Sequence, residues 1–157
     1  ARGVFFTGGH QNRVTDVLKD AEILDALKKR YNDGVVFSGT SAGTAIMSEI
    51  MITGEGDFKV IDGKKVETKK GLGLLTNAIV DQHFIARQRQ NRLIGLVLEN
   101  PNLLGIGIDE DTAFIVKDNR YGEVLGNSQV MIFDAKKKPF RFFMLKSGEK
   151  FDLKKRK

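Results

Sequence analysis

The architecture of the chain follows from ten residues, Gly34-Val35-Val36-Phe37-Ser38-Gly39-Thr40-Ser41-Ala42-Gly43. The first half is a short apolar run, which predicts a buried strand. The second half contains only small residues and predicts a sharp turn into a helix that continues through Met47. This half matches the pattern Gly-x-Ser-x-Gly, in which a serine lies on the turn between a strand and a helix. The segment therefore predicts a strand–turn–helix unit with Ser41 at the turn.

Three other short apolar runs resemble the strand before Ser41. They span residues 3–9, 78–81 and 104–109. Each run is bounded by glycine or polar residues and is too short for a core helix. The runs therefore predict three further buried strands, of the kind found in parallel sheets that helices cover on both faces.

Apolar residues at helical spacing separate these strands. The spacing predicts a helix over residues 14–31, with Asn12 as its N-cap and Asp33-Gly34 as its stop signal. It predicts a second helix over residues 84–99, which Pro101 terminates. Alternating strands and helices indicate an α/β fold with an open parallel sheet flanked by helices.

The remaining segments alternate between apolar and polar residues. Residues 52–68 are glycine-rich and contain Asp62-Gly63, which predicts a surface hairpin. Short runs with turn signals between them predict antiparallel strands toward the C-terminus, at residues 112–117, 123–126, 129–134 and 140–146. Because no linker or repeat interrupts the pattern, we treat residues 1–157 as belonging to one domain.

The composition excludes several classes of function. The chain has 157 residues, of which 41% are hydrophobic and 29% are charged, and this favours a folded domain of ordinary size. Without cysteine it has no thiol catalysis, no disulfides and no zinc–cysteine site. With two histidines, any metal site would depend on carboxylates. We expect no cofactor. No apolar run approaches the roughly 18 residues that a membrane span needs, so no membrane association is expected.

The net charge of +6 favours an anionic partner, such as nucleic acid, lipid head groups or an acidic substrate. The lysines cluster in segments that are predicted to be loops or a chain end, at residues 64–65, 69–70, 136–138 and 154–157. No aromatic residues alternate with them as they do in surfaces that stack nucleic-acid bases. We therefore interpret the clusters as solvated surface and expect no nucleic-acid partner.

Ser41 is the candidate nucleophile. The predicted turn would present its hydroxyl beside the positive end of a helix. The backbone amide of Ala42 is a candidate oxyanion donor, and a second amide could come from the Gly8-Gly9 turn. The alternative interpretation is a glycine-rich turn that only permits close packing or binds phosphate.

His83 is the candidate base, because it follows the strand at residues 78–81. His10 also follows a strand and is a candidate substrate contact. The acid that would orient the imidazole is left open among Asp109, Glu110 and Asp111, which follow the strand at 104–109. Ligands of open α/β sheets bind beyond the carboxyl ends of the strands, so serine, histidine and acid are expected to meet there.

Three arginines follow His83 at positions 87, 89 and 92. In a helix that starts at Phe84, the first turns would disfavour cations. The predicted helix places Arg87 at the edge of the apolar face, while Arg89 and Arg92 point away from it. Such cations require an anionic partner, which is either a structural carboxylate such as Asp81 or Glu110, or a substrate carboxylate.

These motifs closely resemble the cyanophycinase family of serine peptidases, which are related to dipeptidase E. The match extends through essentially the whole chain. It rests on Gly8-Gly9-His10-Gln11, on Gly39-Thr40-Ser41-Ala42-Gly43, on Gly71-Leu72-Gly73-Leu74-Leu75, on Asp81-Gln82-His83-Phe84 with Arg87, Arg89, Arg92 and Leu93, and on Gly107-Ile108-Asp109-Glu110. The stretch around His83 is the most specific part.

The resemblance implies a flavodoxin-like or class I amidotransferase-like sheet and a Ser-His-Glu triad. Ser41 would be the nucleophile, His83 the general base and acid, and Glu110 the orienting carboxylate. It implies an exopeptidase that forms an acyl-enzyme and uses no metal. The family's substrate is multi-L-arginyl-poly-L-aspartate, which is cleaved to β-aspartyl-arginine dipeptides.

The resemblance also implies a substrate pocket. Gln11 would bind substrate, and Arg87, Arg89 and Arg92 would shape the pocket, with Arg87 contacting an anion. The oxyanion would be held by the amides of Gly9 and Ala42. The family commonly has an acidic or amide residue where His10 stands, which is a departure at that candidate contact.

The family carries an N-terminal α/β segment that this chain lacks. We therefore expect the chain to be the C-terminal portion of one peptidase domain, with the missing segment as a partner. We also expect a homodimer and a cytoplasmic location; a periplasmic or secreted location stays open, because a signal peptide would lie in the missing segment. The alternative function is a non-catalytic module that binds acidic peptides or metabolites.

Overall fold

The computed structural model describes residues 1–18, 21–56 and 59–157. The helices are α1 (Gln11–Val17), α2 (Ala21–Asn32), α3 (Ala42–Ala45) and α4 (Gln90–Glu99). The strands are β1 (Gly3–Phe6), β2 (Val36–Gly39), β3 (Ile50–Gly56), β4 (Val66–Lys70), β5 (Ala78–Gln82), β6 (Leu104–Ile108), β7 (Thr112–Lys117), β8 (Tyr121–Gly126), β9 (Val130–Asp134), β10 (Arg141–Leu145) and β11 (Lys150–Asp152). The predicted α/β class is confirmed.

The parallel strands form two pairs, β1 with β2 and β5 with β6. Antiparallel β9 and β10 extend the second pair, in the order β10-β9-β6-β5. Within the described residues the two pairs are not hydrogen-bonded to each other, so the expected parallel sheet is divided. Helix α3 contacts both β2 and β5 and joins the two halves.

Two smaller sheets complete the chain. Strands β3 and β4 pair antiparallel, which confirms the hairpin predicted over residues 52–68. A 3₁₀ turn, Gly63–Lys65, lies between them. Strands β7, β8 and β11 form an antiparallel sheet in the order β11-β8-β7. Strand β11 was absent from the predicted elements, because its three residues are too few to show alternation.

Helix α4 covers β6 at close range. Its residues Leu93 and Val97 are fully buried. A Cβ atom on Gly105 of β6 would lie 2.6 Å from Cγ2 of Val97, so the helix fits because residue 105 has no side chain. Burying each of these aliphatic side chains stabilises the fold by about 2 kcal/mol. This packing fixes the helix that follows the segment carrying His83.

The helix predicted over residues 14–31 is wrong, because the structure has two helices there, α1 and α2. Residues 19–20, between them, lie outside the described residues. Asn12 is not the N-cap, because α1 begins at Gln11 and His10 occupies the cap position without a side-chain hydrogen bond. The predicted stop is confirmed, since α2 ends at Asn32 and Gly34 adopts a left-handed φ of 86°.

The helix predicted over residues 84–99 begins later, at Gln90. Residues 83–89 instead form an irregular turn, with left-handed φ values of 48° at His83 and 52° at Gln88. Arg87 and Arg89 therefore precede the helix. The predicted outward orientation of Arg92 is also wrong, since this residue is only 1% exposed.

Among the described residues, no helix is long and apolar enough to cross a membrane. In the same part of the chain, no group of three or more His, Asp or Glu side chains is arranged to hold a metal ion.

Asp134, the last residue of β9, binds the C-terminal segment to the sheet through Arg156. Its carboxylate is fully buried and accepts hydrogen bonds from the guanidinium groups of Arg141 and Arg156. Burial alone would raise the pKa of Asp134. Hydrogen bonds from the Lys136 amide, Arg156 and Arg141 outweigh burial and hold this pKa below its usual value.

We expect Asp134→Asn to lower the free energy of unfolding at pH 7 by about 2–4 kcal/mol, because it leaves two arginines without their anion. The native pKa lies below the unfolded value of about 3.9, so the carboxylate stabilises the fold above that pH. This contribution disappears as the pH falls through the native pKa. Urea unfolding of both proteins between pH 2 and 7 measures the effect.

Asp118→Asn, at an exposed aspartate between β7 and β8, is the control and should leave the free energy of unfolding at pH 7 unchanged. A difference between wild type and Asp134→Asn that stayed constant down to pH 2 would contradict the assigned ion pairs.

Candidate active site

Ser41 lies on a strained turn between β2 and α3. Its φ of 53° and ψ of −114° are unusual for a residue with a side chain, and such conformations cost about 1–3 kcal/mol. The Thr40 amide donates to the Phe6 carbonyl at 3.1 Å, and Oγ1 of Thr44 donates to the Gly39 carbonyl at 2.7 Å. The surrounding hydrogen bonds therefore hold Ser41 in this conformation, and the strand–turn–helix unit predicted around it is present.

The glycines on either side of Ser41 are required by close backbone contacts. A Cβ atom on Gly39 would lie 2.3 Å from the Gly43 carbonyl oxygen. A Cβ atom on Gly43 would lie 2.2 Å from the carbonyl oxygen of Phe6. Any larger residue at either position would push α3 away from β1 and β2 and displace the serine.

His83 is placed beyond the end of β5 by the residue that follows it. Phe84 is fully buried, and its ring lies over Gly107 of β6, where a Cβ atom would come within 2.2 Å of the ring. The imidazole of His83 points toward β2, with Nε2 2.9 Å from Oγ of Ser41. The structure thus brings together the serine and the histidine from the ends of two different strands.

Glu110 completes the chain of hydrogen bonds. Its Oε1 lies 2.7 Å from Nδ1 of His83. A carboxylate can only accept here, so Nδ1 carries the proton and Nε2 is free to accept the Ser41 hydroxyl. The side chains of His83 and Glu110 are 24% and 54% exposed, which leaves the site open to a ligand.

The three neighbouring acids make different contacts. Of these three acids, Glu110 alone is hydrogen-bonded to the imidazole of His83. Oδ1 of Asp109 accepts the amides of Ile85 and Ala86 at 3.0 Å each, and its Oδ2 accepts the Ser128 hydroxyl at 2.6 Å. Asp111 accepts from the side-chain amide of Asn127 at 2.6 Å.

Asp109 has a lowered pKa. Burial alone would raise it, but hydrogen bonds from Ser128 and from three backbone amides outweigh burial. The Asp109 carboxylate is therefore an ionised acceptor at neutral pH.

The predicted oxyanion donors lie on both sides of Ser41. Ala42 is the first residue of α3, and its amide follows directly after the serine. The glycine turn after β1 lies against Ser41, since a Cβ atom on Gly8 would be 3.4 Å from the Ser41 Cβ. Gly9 has a φ of 131° and open space on its Cβ side. The oxyanion role of the Gly9 and Ala42 amides stays a prediction.

The side chain of Gln11 is hydrogen-bonded within the fold, whereas the side chain of His10 is exposed. Nε2 of Gln11 donates to the carbonyls of Ile52 and Thr53 of β3, at 2.9 and 2.7 Å. These bonds attach α1 to the hairpin and use both hydrogens of the side-chain amide. His10 is exposed at the N-terminus of α1. Substrate contacts at Gln11 and His10 stay predictions.

The three arginines occupy three different environments. Arg92 is buried and forms a double hydrogen bond with Asp81, from Nε at 2.7 Å and from Nη2 at 2.5 Å. Arg89 donates to the Gln82 carbonyl at 2.7 Å and lies 3.7 Å from Asp81. Arg87 is exposed and makes no side-chain hydrogen bond or ion pair with the described residues.

Positive charge accumulates around Arg89. Burial lowers the pKa of Arg89, and the neighbouring Arg92 lowers it further, while Asp81 opposes the shift and Arg87 adds to it. The result is a pKa below the usual value for arginine. Burial and the two neighbouring arginines thus disfavour the charged form of Arg89, and Asp81 only partly offsets them.

Two contributors to the site were missed by sequence reasoning. Ser128 lies in the connection between β8 and β9, in a segment that the pattern marks only as a turn. The contact of Phe84 with Gly107 was also missed, although glycine inside a strand is a known sign of close approach. Both contacts join segments that are distant in the chain, and periodicity does not report such contacts.

Three comparisons place the chain among known proteins. A sequence model of peptidase family S51 matches residues 1–124. The cyanophycinase of Trichormus variabilis is 43% identical over 133 residues, which are 84% of this chain and 45% of that protein. The cyanophycinase of Geminocystis herdmanii is 39% identical over 133 residues, again 84% of this chain and 49% of that protein. The chain thus spans about half the length of these relatives.

A solved structure shares the fold. The crystal structure of a peptidase from an acI-B1 Actinobacterium superposes with a TM-score of 0.72, over 97% of this chain and 59% of that chain, at 23% identity. The resemblance to cyanophycinases is confirmed by the sequence relatives. Because the family model covers most of the chain, including residues 41, 83 and 110, this chain belongs to peptidase family S51.

Proposed function

We propose that this chain carries the catalytic residues of a serine peptidase that cleaves aspartyl or β-aspartyl-arginine peptides from the end of the substrate. The observation that carries the proposal is the continuous chain of hydrogen bonds from Ser41 through His83 to Glu110, with distances of 2.9 and 2.7 Å. Family membership is consistent with this activity.

In the proposed reaction, Nε2 of His83 takes the proton of Ser41 as Oγ attacks an aspartyl carbonyl carbon. The amides of Ala42 and Gly9 donate to the negatively charged oxygen of the tetrahedral intermediate. His83 then gives its proton to the leaving amine, and the peptide C–N bond breaks to leave an acyl-enzyme. Water attacks the ester with His83 again as base, which releases the acid and restores Ser41.

Glu110 stabilises the imidazolium that forms in each of these steps. Its carboxylate holds Nδ1–H, which fixes the tautomer that can accept a proton at Nε2. Removing this acceptor would leave the protonated imidazole without a counter-charge, and the barrier would rise.

The proposed substrate class rests on the arginines that precede α4. Arg87 is exposed and makes no side-chain hydrogen bond or ion pair with the described residues, so its guanidinium is available to a ligand. A guanidinium binds a carboxylate through two parallel hydrogen bonds, which suits an aspartyl side chain or a free carboxylate. The cyanophycinase names of the relatives support the same class.

We further propose that the rest of the family fold covers this chain beside β2. Within the described residues β2 pairs only with β1, and β7 pairs only with β8. Phe5 and Val36 are 62% and 67% exposed, although parallel strands are usually covered on both faces. The relatives have about half their length outside the matched part.

The homodimer and the cytoplasmic location also stay predictions. Sedimentation of the purified protein tests whether it is a dimer.

We expect Ser41→Ala to lower peptidase turnover by about 10⁴-fold or more, because no other group supplies the attacking oxygen. The release of β-aspartyl-arginine from multi-L-arginyl-poly-L-aspartate measures the loss. Ser147→Ala, at an exposed serine of the β10–β11 turn, is the matched control and should keep full activity.

Labelling with a fluorophosphonate separates the enzyme from a binding module. The wild-type protein should be modified at Ser41, and Ser41→Ala should not react. Binding of multi-L-arginyl-poly-L-aspartate without labelling or hydrolysis would identify the non-catalytic alternative. Full hydrolysis by Ser41→Ala would refute the proposed mechanism.

We expect Arg87→Ala to change substrate binding and Arg92→Ala to change the stability of the fold. Arg87→Ala should raise KM for multi-L-arginyl-poly-L-aspartate by about 10- to 100-fold, since a charged hydrogen-bonded contact contributes about 1.5–3 kcal/mol. Its unfolding free energy should stay within about 0.5 kcal/mol of wild type. Arg92→Ala should lower the unfolding free energy by about 3–5 kcal/mol, because buried Asp81 loses both hydrogen bonds from Arg92 and retains only the more distant Arg89, at 3.7 Å, as a counter-ion among the described residues.

Urea unfolding and steady-state kinetics measure both variants. An unchanged KM in Arg87→Ala would remove this residue from the substrate site. An unchanged stability in Arg92→Ala would contradict the buried ion pair with Asp81.

A further inference from the structure

The turn that carries His83 lacks part of its backbone hydrogen bonding. Within residues 83–89, the amide of Arg87 donates to the His83 carbonyl at 3.0 Å, which closes one helical turn. The amides of Ile85 and Ala86, inside this turn, have no backbone acceptor among the hydrogen bonds of the described residues. Such first-turn amides are normally capped by a side chain from the preceding residue.

Here the cap comes from a distant strand. Oδ1 of Asp109, which follows β6, accepts both amides at 3.0 Å. The carboxylate thus does for the turn what an N-cap residue does for a helix. It also explains how His83 can keep a left-handed φ of 48°, a conformation that persists only where the surroundings determine it.

Asp109 is itself held from the opposite side. Its Oδ2 accepts the Ser128 hydroxyl at 2.6 Å, and its own amide donates to the Gln129 carbonyl at 3.2 Å. Both contacts come from the connection between β8 and β9. The carboxylate therefore cannot rotate away from the turn without breaking the bond to Ser128.

The position of Asp109 in the chain connects this cap with the catalytic acid. Its neighbour Glu110 holds the ring of His83 through Nδ1 at 2.7 Å, while Asp109 holds the backbone two and three residues after His83. Two consecutive acids thus fix the same histidine, one by its ring and the other by its main chain. A shift of the turn would change the Ser41–His83 distance even with Glu110 intact.

We propose that Asp109 is a positioning residue, whose carboxylate, braced by Ser128, caps the 83–89 turn and keeps the His83 imidazole between Ser41 and Glu110. The proposal rests on the proposed serine peptidase function. It assigns no contact with substrate to Asp109.

The first test is Asp109→Asn, which keeps the size of the side chain and removes one of its two acceptors. Ser128→Ala removes only the brace. Asp111→Asn is the matched control, since it removes an equal charge one residue after Glu110 and its recorded contact is with Asn127, away from the turn. Circular dichroism and thermal unfolding establish that each variant is folded.

The direct readout is the low-field ¹H NMR signal of Nδ1–H of His83 in ¹⁵N-labelled protein. The chain has two histidines, and His83→Gln assigns the signal. We expect the signal in wild type and Asp111→Asn, and its loss or broadening in Asp109→Asn. Ser128→Ala should give an intermediate result.

The kinetic readout is fluorophosphonate labelling of Ser41 together with peptide hydrolysis. We expect Asp109→Asn to lower the labelling rate and kcat by about 10- to 100-fold with KM near wild type, because misplacement of a catalytic group by about 1 Å has effects of this size. A wild-type NMR signal and labelling rate in Asp109→Asn overturns the proposal. Should Asp109→Asn not fold, the same readouts on Ser128→Ala decide, and wild-type values there overturn it.

Failure of the peptidase function is distinguishable from failure of this inference. A wild-type protein that shows the His83 signal, but neither labels nor hydrolyses peptides, refutes the function. The NMR comparison between Asp109→Asn and Asp111→Asn still decides the positioning role in that case.

Discussion

The site depends on a backbone contact that leaves no space for a side chain. The first turn of α3 lies so close to β1 and β2 that a Cβ atom on Gly43 would collide with the Phe6 carbonyl. This contact sets the left-handed conformation of Ser41 and the direction of its hydroxyl. It also brings the Gly8-Gly9 turn next to the serine, so that nucleophile and candidate oxyanion donors are fixed together.

Each of the three catalytic candidates is positioned by a different kind of interaction. Ser41 is set by backbone packing, and His83 by the anchoring of Phe84 over Gly107 and by the cap from Asp109. Glu110 follows β6 directly and takes its place from that strand. Because β5 and β6 pair in register, with Asp81 opposite Gly107, the ends of these strands lie side by side and the histidine meets the carboxylate.

The sequence was sufficient for the α/β class and for the turn at Ser41, because these features leave local signals in glycine spacing and short apolar runs. The same signals placed a histidine and three acids at strand ends, but the choice of Glu110 among the acids came only from the family resemblance. It was insufficient for the start of α4. The residues after Phe84 have helical periodicity, but amides of the turn are capped by Asp109, which lies more than 20 positions further along the chain. The division of the parallel strands into two pairs also depends on long-range packing that no local pattern reports.

The buried pair of Arg92 and Asp81 limits how these two positions can change during evolution. The guanidinium reaches both carboxylate oxygens through Nε and Nη2. Lysine carries the same charge but only a single ammonium group on a flexible stem, so it cannot reproduce this planar fork. A single replacement at either position leaves a buried ion without this partner. The two residues can therefore change only together, in an exchange that removes both charges.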